Sequence, residues 1–489
     1  MQDKRTLFDY LYQNLRKQIL TGQFAYGSAL PSMSQICEIY HVGIRTAKDV
    51  LHALKEEGLI RTQERKPAVV IYQCTQNGTV PSSIPYILRC RTAIEDAYRT
   101  LEIIMPILLS FSVSVSDVRS MEHYAYALAY SKKPHSKNDW RTANFLLHDV
   151  LHASGNLLFT ELYSSLQVDA HAPFFAAYGS PSGISDLQNI QGYMTAVINA
   201  LNKSAPQDTK RCFQDIYREI TAYILCRLEE FSVRFPNVKA DPKISFVWHA
   251  ERGRDHYYTQ IARDLINKIG TGEYPSGSYL PAEAMLAKQY GVSVSTVRKA
   301  LSMLNQLGFG QTINAKGTLV LMQDDQATFH CLKDKTFRHD TLLYLSGLQL
   351  MALLIGPAAL RVFDRITPRE ISTLKDRFAQ PQSIPLKHIF TCIMNHLDLQ
   401  PYRTILSEIN KLLLWGYYFS FYSGKSDSTN QLNLNSLKAF HCLQAGDADG
   451  FASGLSSCYC HILTVVRGFL IKYGLPEAAS LRTPPVFTP

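Results

Sequence analysis

The chain has 489 residues, 46% of them hydrophobic and 19% charged, and a net charge of +9. That length allows roughly three or four domains, and the composition excludes a disordered or low-complexity polypeptide. The mild basic excess permits contact with nucleic acid, although on charge alone a solvated basic surface is the simpler reading. In chain order, Leu7, Leu11, Leu15 and Ile19 recur every four positions and predict a helix over residues 5–21. Gly22 and Gly27 end it. Pro31 and Ser32 open a second helix from Ser32 to Tyr40, and the turn His41-Val42-Gly43 leads to a third from Ile44 to Glu57. Gly58 stands where a helix C-terminal glycine belongs. Two strands, Leu59–Thr62 and Ala68–Tyr72, then form a hairpin wing around Gln63 to Pro67.

Thr75 to Pro85 is rich in Gly, Ser and Pro and reads as a linker. From Tyr86 to Phe235 the pattern is helical, most clearly over Arg91–Phe111, Asp139–Leu151, Leu157–Leu166, Ile190–Asn202 and Thr209–Phe231. Pro236 to Pro242 is a second linker. Helices over 257–270, 282–290 and 294–307 follow, with strands at 309–313 and 317–322 around Asn314 to Gly317. A second helical block begins with Thr341–Phe363 and Pro368–Phe378 and runs to Tyr473; the Pro-rich end, Thr483 to Pro489, is expected to fray.

This order contains the same module twice. Leu30-Pro31 and Leu280-Pro281 stand 250 positions apart, and at that offset Gly27 matches Gly277, Tyr40 matches Tyr290 and Val42 matches Val292. Thr46 matches Thr296, Leu51 matches Leu301, Leu54 matches Leu304, Gly58 matches Gly308 and Val70 matches Val320. The period is too long for a solenoid. The fold class expected is mainly α: two winged helix–turn–helix domains alternating with two all-helical bundles, a pseudo-twofold duplication. The boundaries read as 1–75, 85–238, 250–323 and 336–478.

The ten cysteines form no CxxC pair, and the opening MQDKRTLFDY is polar and charged. Both suggest a reducing cytoplasm. The apolar run Leu342–Leu360 carries no charge and approaches membrane-spanning length. Gly347, Gln349, Gly356 and Pro357 interrupt it, so a buried helix is expected and no membrane.

A helix–turn–helix places the start of its third helix in the major groove. The candidates for contact with double-stranded DNA in the first copy are Ser32, Arg45, Thr46 and Lys48, with Arg65 and Lys66 at the wing. In the second they are Ser293, Ser295, Thr296, Arg298 and Lys299, with Lys316 and Gly317 at the wing. Hydroxyls suit phosphates, and Arg can grip guanine with two hydrogen bonds. Each residue alone is an ordinary solvated side chain; joint placement in a repeated module carries the reading.

The run Leu280-Pro281-Ala282-Glu283, then Gly291-Val292-Ser293 and Thr296-Val297-Arg298-Lys299-Ala300-Leu301, then Gly308 and Lys316-Gly317-Thr318 resembles the GntR family of bacterial transcription regulators. The first copy is similar through Leu30-Pro31-Ser32, Val42, Thr46, Leu51, Leu54 and Glu57-Gly58-Leu59. Two family arginines are absent from each copy: Ser34 and Ala284 stand at one position, Ile44 and Val294 at the other. The wing glycine is Gly317 in the second copy and Pro67 in the first. Sequence preference is therefore expected to differ from the family's usual sites.

The helical blocks resemble the family's FCD sensory domain. Leu147-His148-Asp149-Val150-Leu151 with Ala153-Ser154-Gly155-Asn156 carries the likeness in the first block, and Phe440-His441 with Ala445-Gly446-Asp447-Ala448 in the second. Many such domains hold a metal through an Asp and three His. Here Asn144 stands at the Asp position and His148 at the first His; the others fall near Gly192 or Tyr193 and near Tyr217. In the second block Ser436 replaces a ligand His and Cys458 lies near the last position, beside Cys460 and His461. Without three or four good ligands, neither a metal nor a cofactor is expected. Asn144 and His148 remain candidates to face a small-molecule effector, against the plainer reading of His148 as a hydrogen-bonded core residue.

The resemblance thus implies a transcription regulator with two reading heads, modulated by an effector, working as a monomer with an internal pseudo-dimer or as a homodimer. No enzyme is expected: the second head interrupts any aminotransferase-like domain, and no phosphate loop, GxSxG or HExxH occurs. The alternative is an interaction or antirepressor-type protein with degenerate heads.

Overall fold

The computed structural model describes all residues except 1–6, 21–23, 25, 41, 64–65, 73–82, 132–138, 172–188, 251–256, 271, 322–331, 333–334, 381–382, 414–424 and 489. The first head comprises α1 (Leu7–Leu20), α2 (Met33–Ile39), α3 (Ile44–Glu56), β1 (Ile60–Gln63) and β2 (Lys66–Val70). The four-residue stripe of α1 buries Leu11, Leu15 and Ile19 against Ile36 of α2 and Val50 and Leu54 of α3.

The first helical block follows as α4 (Ser83–Arg89), α5 (Arg91–Val115), α6 (Glu122–Ser131), α7 (Asp139–Ala153), α8 (Phe159–Asp169), α9 (Asn189–Leu201) and α10 (Pro206–Arg234). The expected linker to Pro85 ends early, because α4 begins at Ser83. Pro85 lies in the first turn, where a missing N–H breaks no helical bond. α5 and α10 pack along their length and form the centre of the block; Ile94, Leu101 and Leu108 are buried on one, Phe213, Ile224 and Leu228 on the other.

The stretch after α10 is not a free linker. Asp241 donates its backbone N–H to Arg89 O at 2.8 Å. Gln400 takes the N–H of Phe246 on its side-chain oxygen at 3.2 Å and donates to its carbonyl at 3.0 Å. Phe246 and Trp248 are buried, so apolar side chains fasten this crossing segment.

The second head comprises α11 (Tyr257–Gly270), α12 (Glu283–Tyr290), α13 (Val294–Gln306), β3 (Gly310–Ile313) and β4 (Gly317–Val320). The duplication holds bond by bond. Gly27 N–H meets Val70 O at 2.9 Å and Gly277 N–H meets Val320 O at 2.9 Å; Leu30 N–H meets Ala68 O at 2.7 Å and Leu280 N–H meets Thr318 O at 2.9 Å. Gly58 and Gly308 close their recognition helices at φ +75° and +78°, a left-handed conformation that glycine adopts without steric cost. The core of the second head is continuous with that of the helical blocks, whereas the first head keeps a core of its own.

The second block contains α14 (Lys335–Val362), α15 (Pro368–Phe378), α16 (Pro385–His396), α17 (Gln400–Leu413), α18 (Lys425–Ala445) and α19 (Ala448–Lys472). α14 lies against α19 and α17 and takes the central place that α5 holds in the first block. Pro106 sits inside α5 and Pro357 inside α14. Arg91–Val115, Arg338–Arg365 and Ala448–Lys472 are long and apolar enough to cross a membrane by length and composition. Here they build the interior of the two blocks, and 83% of the most apolar window, within Arg338–Arg365, is buried.

The Pro-rich end does not fray over its described residues. Phe487 donates its N–H to Ser456 Oγ at 3.0 Å, Thr483 and Thr464 share a hydroxyl bond at 2.9 Å, and Pro484 is buried. A side chain at Gly356 would lie 2.6 Å from the Phe487 ring, so a glycine admits the tail. Fraying is expected from the sequence because a Pro-rich end resembles a loose one until a groove receives it.

Candidate nucleic-acid interface

Each recognition helix starts in solvent. In the first head Gly43 is the N-cap of α3, without a side-chain capping bond, and Arg45 and Lys48 are exposed beside half-buried Thr46. In the second, Ser293 caps α13 by accepting the Thr296 N–H at 3.3 Å. Its hydroxyl also pairs with Ser295 Oγ at 2.8 Å and Thr296 Oγ1 at 2.9 Å, so three hydroxyls cluster at the helix start. The backbone N–H groups of that first turn and the helix dipole favour an anion such as phosphate.

Arg298 and Lys299 are exposed on α13. Arg298 Nε donates to Glu283 Oε2 at 2.7 Å, which holds the guanidinium between α12 and α13. Spacing in sequence could not show this pair, since its members stand fifteen positions apart. Ser32 has a different duty. It is the N-cap of α2 in a reciprocal capping box with Gln35, its hydroxyl committed to the helix start.

The wings differ. In the second head Ile313 pairs with Gly317, and the turn carries exposed Lys316 at its tip. Gly317 has φ +109° and Ala315, without glycine's freedom, has φ +62°. In the first head the ladder shifts register between Arg61 and Gln63, and Lys66 pairs with Gln63. Lys66 and Pro67 are exposed; Arg65 lies outside the described residues.

Asn144 and His148 do lie on one face of α7, but each has a structural partner. Asn144 Oδ1 accepts from Gln167 Nε2 at 2.7 Å, and the His148 ring stands 5.1 Å from that of Tyr163. Burial depresses the His148 pKa to about 4, so the imidazole is neutral at physiological pH. Burial likewise raises the phenols of Tyr98, Tyr163, Tyr193 and Tyr217, that of Tyr193 to about 12. One imidazole, an amide engaged elsewhere and phenols that stay protonated do not fit the metal that the resemblance associates with such blocks. In the second block Cys458 Sγ lies 3.6 Å from Ser436 Oγ, and burial raises the thiol to about 11. Cys458 and Cys460 are buried small residues there.

Two groupings had no signal in the sequence. Glu370, Cys392 and His396 bring their ligand atoms within 4.8 Å of one another. Glu370 is already the capping-box partner of Thr367 and pairs with His396 at 2.7 Å, a self-sufficient helix-start arrangement. A cavity of about 170 Å³ opens between Tyr86, Cys90, His171 and the crossing segment at Lys243 and Ile244, away from Asn144 and His148.

The model for bacterial regulatory proteins, gntR family, matches residues 7–70 and 257–320. The HTH-type transcriptional regulator TreR of Bacillus subtilis (strain 168) is 42% identical over 67 residues, 14% of this chain and 28% of that protein. The HTH-type transcriptional regulator YieP of Escherichia coli (strain K12) is 24% identical over 203 residues, 38% of this chain and 86% of that protein. The mannosyl-D-glycerate transport/metabolism system repressor MngR of the same organism is 38% identical over 68 residues, 14% of this chain and 28% of that protein. The similarity to TreR and MngR therefore spans little more than a quarter of those proteins. Two matches in register, on two heads of the same element order, lead to one conclusion: the chain carries the winged head of the gntR family of bacterial regulatory proteins twice.

Proposed function

We propose that the chain is a cytoplasmic transcription regulator that binds double-stranded DNA through both heads, tied in one polypeptide. The observation that carries this reading is the repeated exposed recognition-helix start: Arg45 and Lys48 in one head, Ser295, Arg298 and Lys299 in the other, each with a cationic wing residue, Lys66 or Lys316. The hydroxyls and lysines position phosphates; the arginines and their neighbours reach base edges. Because the heads have diverged, the operator has two unlike halves.

The helical blocks, 85–238 and 336–478 in this reading, act as FCD-like bodies that set the spacing of the heads and bind an effector. A single chain already pairs its blocks, which supports a monomer with an internal pseudo-dimer. A metal does not fit an effector site here in the first block, since the Asn144 amide is bonded to Gln167 and His148 packs beside the ring of Tyr163.

Selection of bound sequences from a random duplex library tests the reading, on the wild type and on Arg298→Ala and Lys48→Ala. A two-part motif that loses one half in each variant is expected. No enrichment, with only weak binding that salt abolishes, overturns it in favour of an interaction protein with degenerate heads.

A further inference from the structure

The two recognition helices begin with apolar residues where the family carries an arginine, and the structure treats them differently. Val294 is half-buried and packs against the core of its head. Ile44 is 61% exposed at the first position of α3 and is not part of its head's described core. A single exposed isoleucine is ordinary on a protein surface. This one occupies the turn that a helix–turn–helix inserts into the major groove, directly after Gly43 and before the exposed Arg45.

We propose that Ile44 reads the 5-methyl group of thymine, so that the first head selects T at the base pair that the start of its recognition helix meets. The thymine methyl is the apolar group that the major-groove edge of a base pair offers. An isoleucine cannot donate to guanine O6 or N7, and placing it against them would strip their water without replacement. Against a methyl it removes apolar surface from water on both sides. Gly43, without a side chain, leaves the approach of the helix start to the base edge open. Val294, tucked into its own head, has no such reach, so the second head reads through Ser295, Arg298 and Lys299 instead. The first half-site is therefore T-dependent and the second is not.

The inference rests on the DNA-binding reading, and the experiment separates the two. The full chain is titrated with its selected duplex and with duplexes in which deoxyuridine replaces thymidine in one half-site at a time. Loss of the contacted methyl is expected to weaken binding about fourfold in the first half-site, and substitution in the second half-site to leave affinity unchanged. Ile44→Ala is expected to lose a similar factor on the thymidine duplex and to be indifferent to deoxyuridine. Ile44→Arg is expected to move the preference at that position from T to G. Because Ile44 is exposed, neither variant should change the melting temperature, which serves as the folding control. Salt-sensitive binding that does not distinguish deoxyuridine from thymidine overturns the methyl contact and leaves the regulator standing. Failure to bind any duplex at low salt overturns both.

Discussion

Asn156 in the first helical block donates its side-chain amide to Gln349 Oε1 in the second, at 2.7 Å. The same NH₂ group reaches Ser346 O at 3.0 Å, and Ser346 Oγ accepts the Leu157 N–H at 3.2 Å. Asn156 and Gln349 are both buried, so this polar bridge is shielded from water. Gln349 in turn donates to Arg482 O at 2.6 Å, linking the bridge to the C-terminal tail. Removing one partner leaves the other buried and unsatisfied, at about 1–3 kcal/mol per group. Asn156→Ala is expected to lower stability by at least that range, read as a shift in the urea midpoint. An unchanged midpoint would show that the blocks do not depend on the bridge.

The heads differ at the start of their recognition helices. Ser293 caps α13 through its side chain, whereas Gly43 offers α3 no such bond. Ser293→Ala should cost the second head about 1 kcal/mol, and Gly43→Ser should stabilise the first by only a few tenths. Hydrogen exchange of the helix-start amides in each head would report both effects locally.

Lys48 and Lys299 are exposed at positions related by the repeat, one residue apart. If each neutralises a phosphate, its replacement by Ala reduces the slope of log affinity against log salt by about 0.9. Affinity should fall on every sequence alike, in contrast to the sequence-dependent effect expected for Arg298→Ala. Unchanged slopes would place these lysines away from the DNA.

His148 makes stability depend on pH. Burial lowers its pKa from 6.5 to about 4 in the folded chain. Between these values the unfolded state binds more protons, so stability rises with pH across that window. The contribution is complete above 6.5 and is lost as pH falls toward 4. His148→Gln is expected to flatten the dependence of the urea midpoint over that range; an identical pH profile would contradict burial of the ring.

Gly356 faces the Phe487 ring, and a β-carbon there would stand 2.6 Å away. Gly356→Ala should expel the tail and expose Phe487, although alanine favours the helix itself. Faster proteolysis between Leu481 and Thr488 is the expected readout. A variant with the tail still protected would show that Phe487 can move aside within its groove.

The sequence by itself determined the heads. Their elements depend on short-range signals: a four-residue stripe in α1, a glycine after each recognition helix, and a second copy 250 positions on. Contacts in such modules are local, so periodicity and turn chemistry suffice. The exposed positions of Arg45, Lys48, Arg298 and Lys299 were legible for the same reason.

Only the tertiary structure decided what depends on distant neighbours. Gln349 interrupts an apolar run in sequence and becomes the polar partner of Asn156, 193 positions away. The C-terminal prolines resemble a loose end until Gly356 and Ser456 provide a seat. Ile44 and Val294 occupy equivalent positions, yet one is left to solvent and the other joins a core. Asn144 and His148 share a helix face by spacing, but Gln167 and Tyr163 engage them. Burial and hydrogen-bond satisfaction are properties of the packed chain, and residue type and spacing set only which partners are possible.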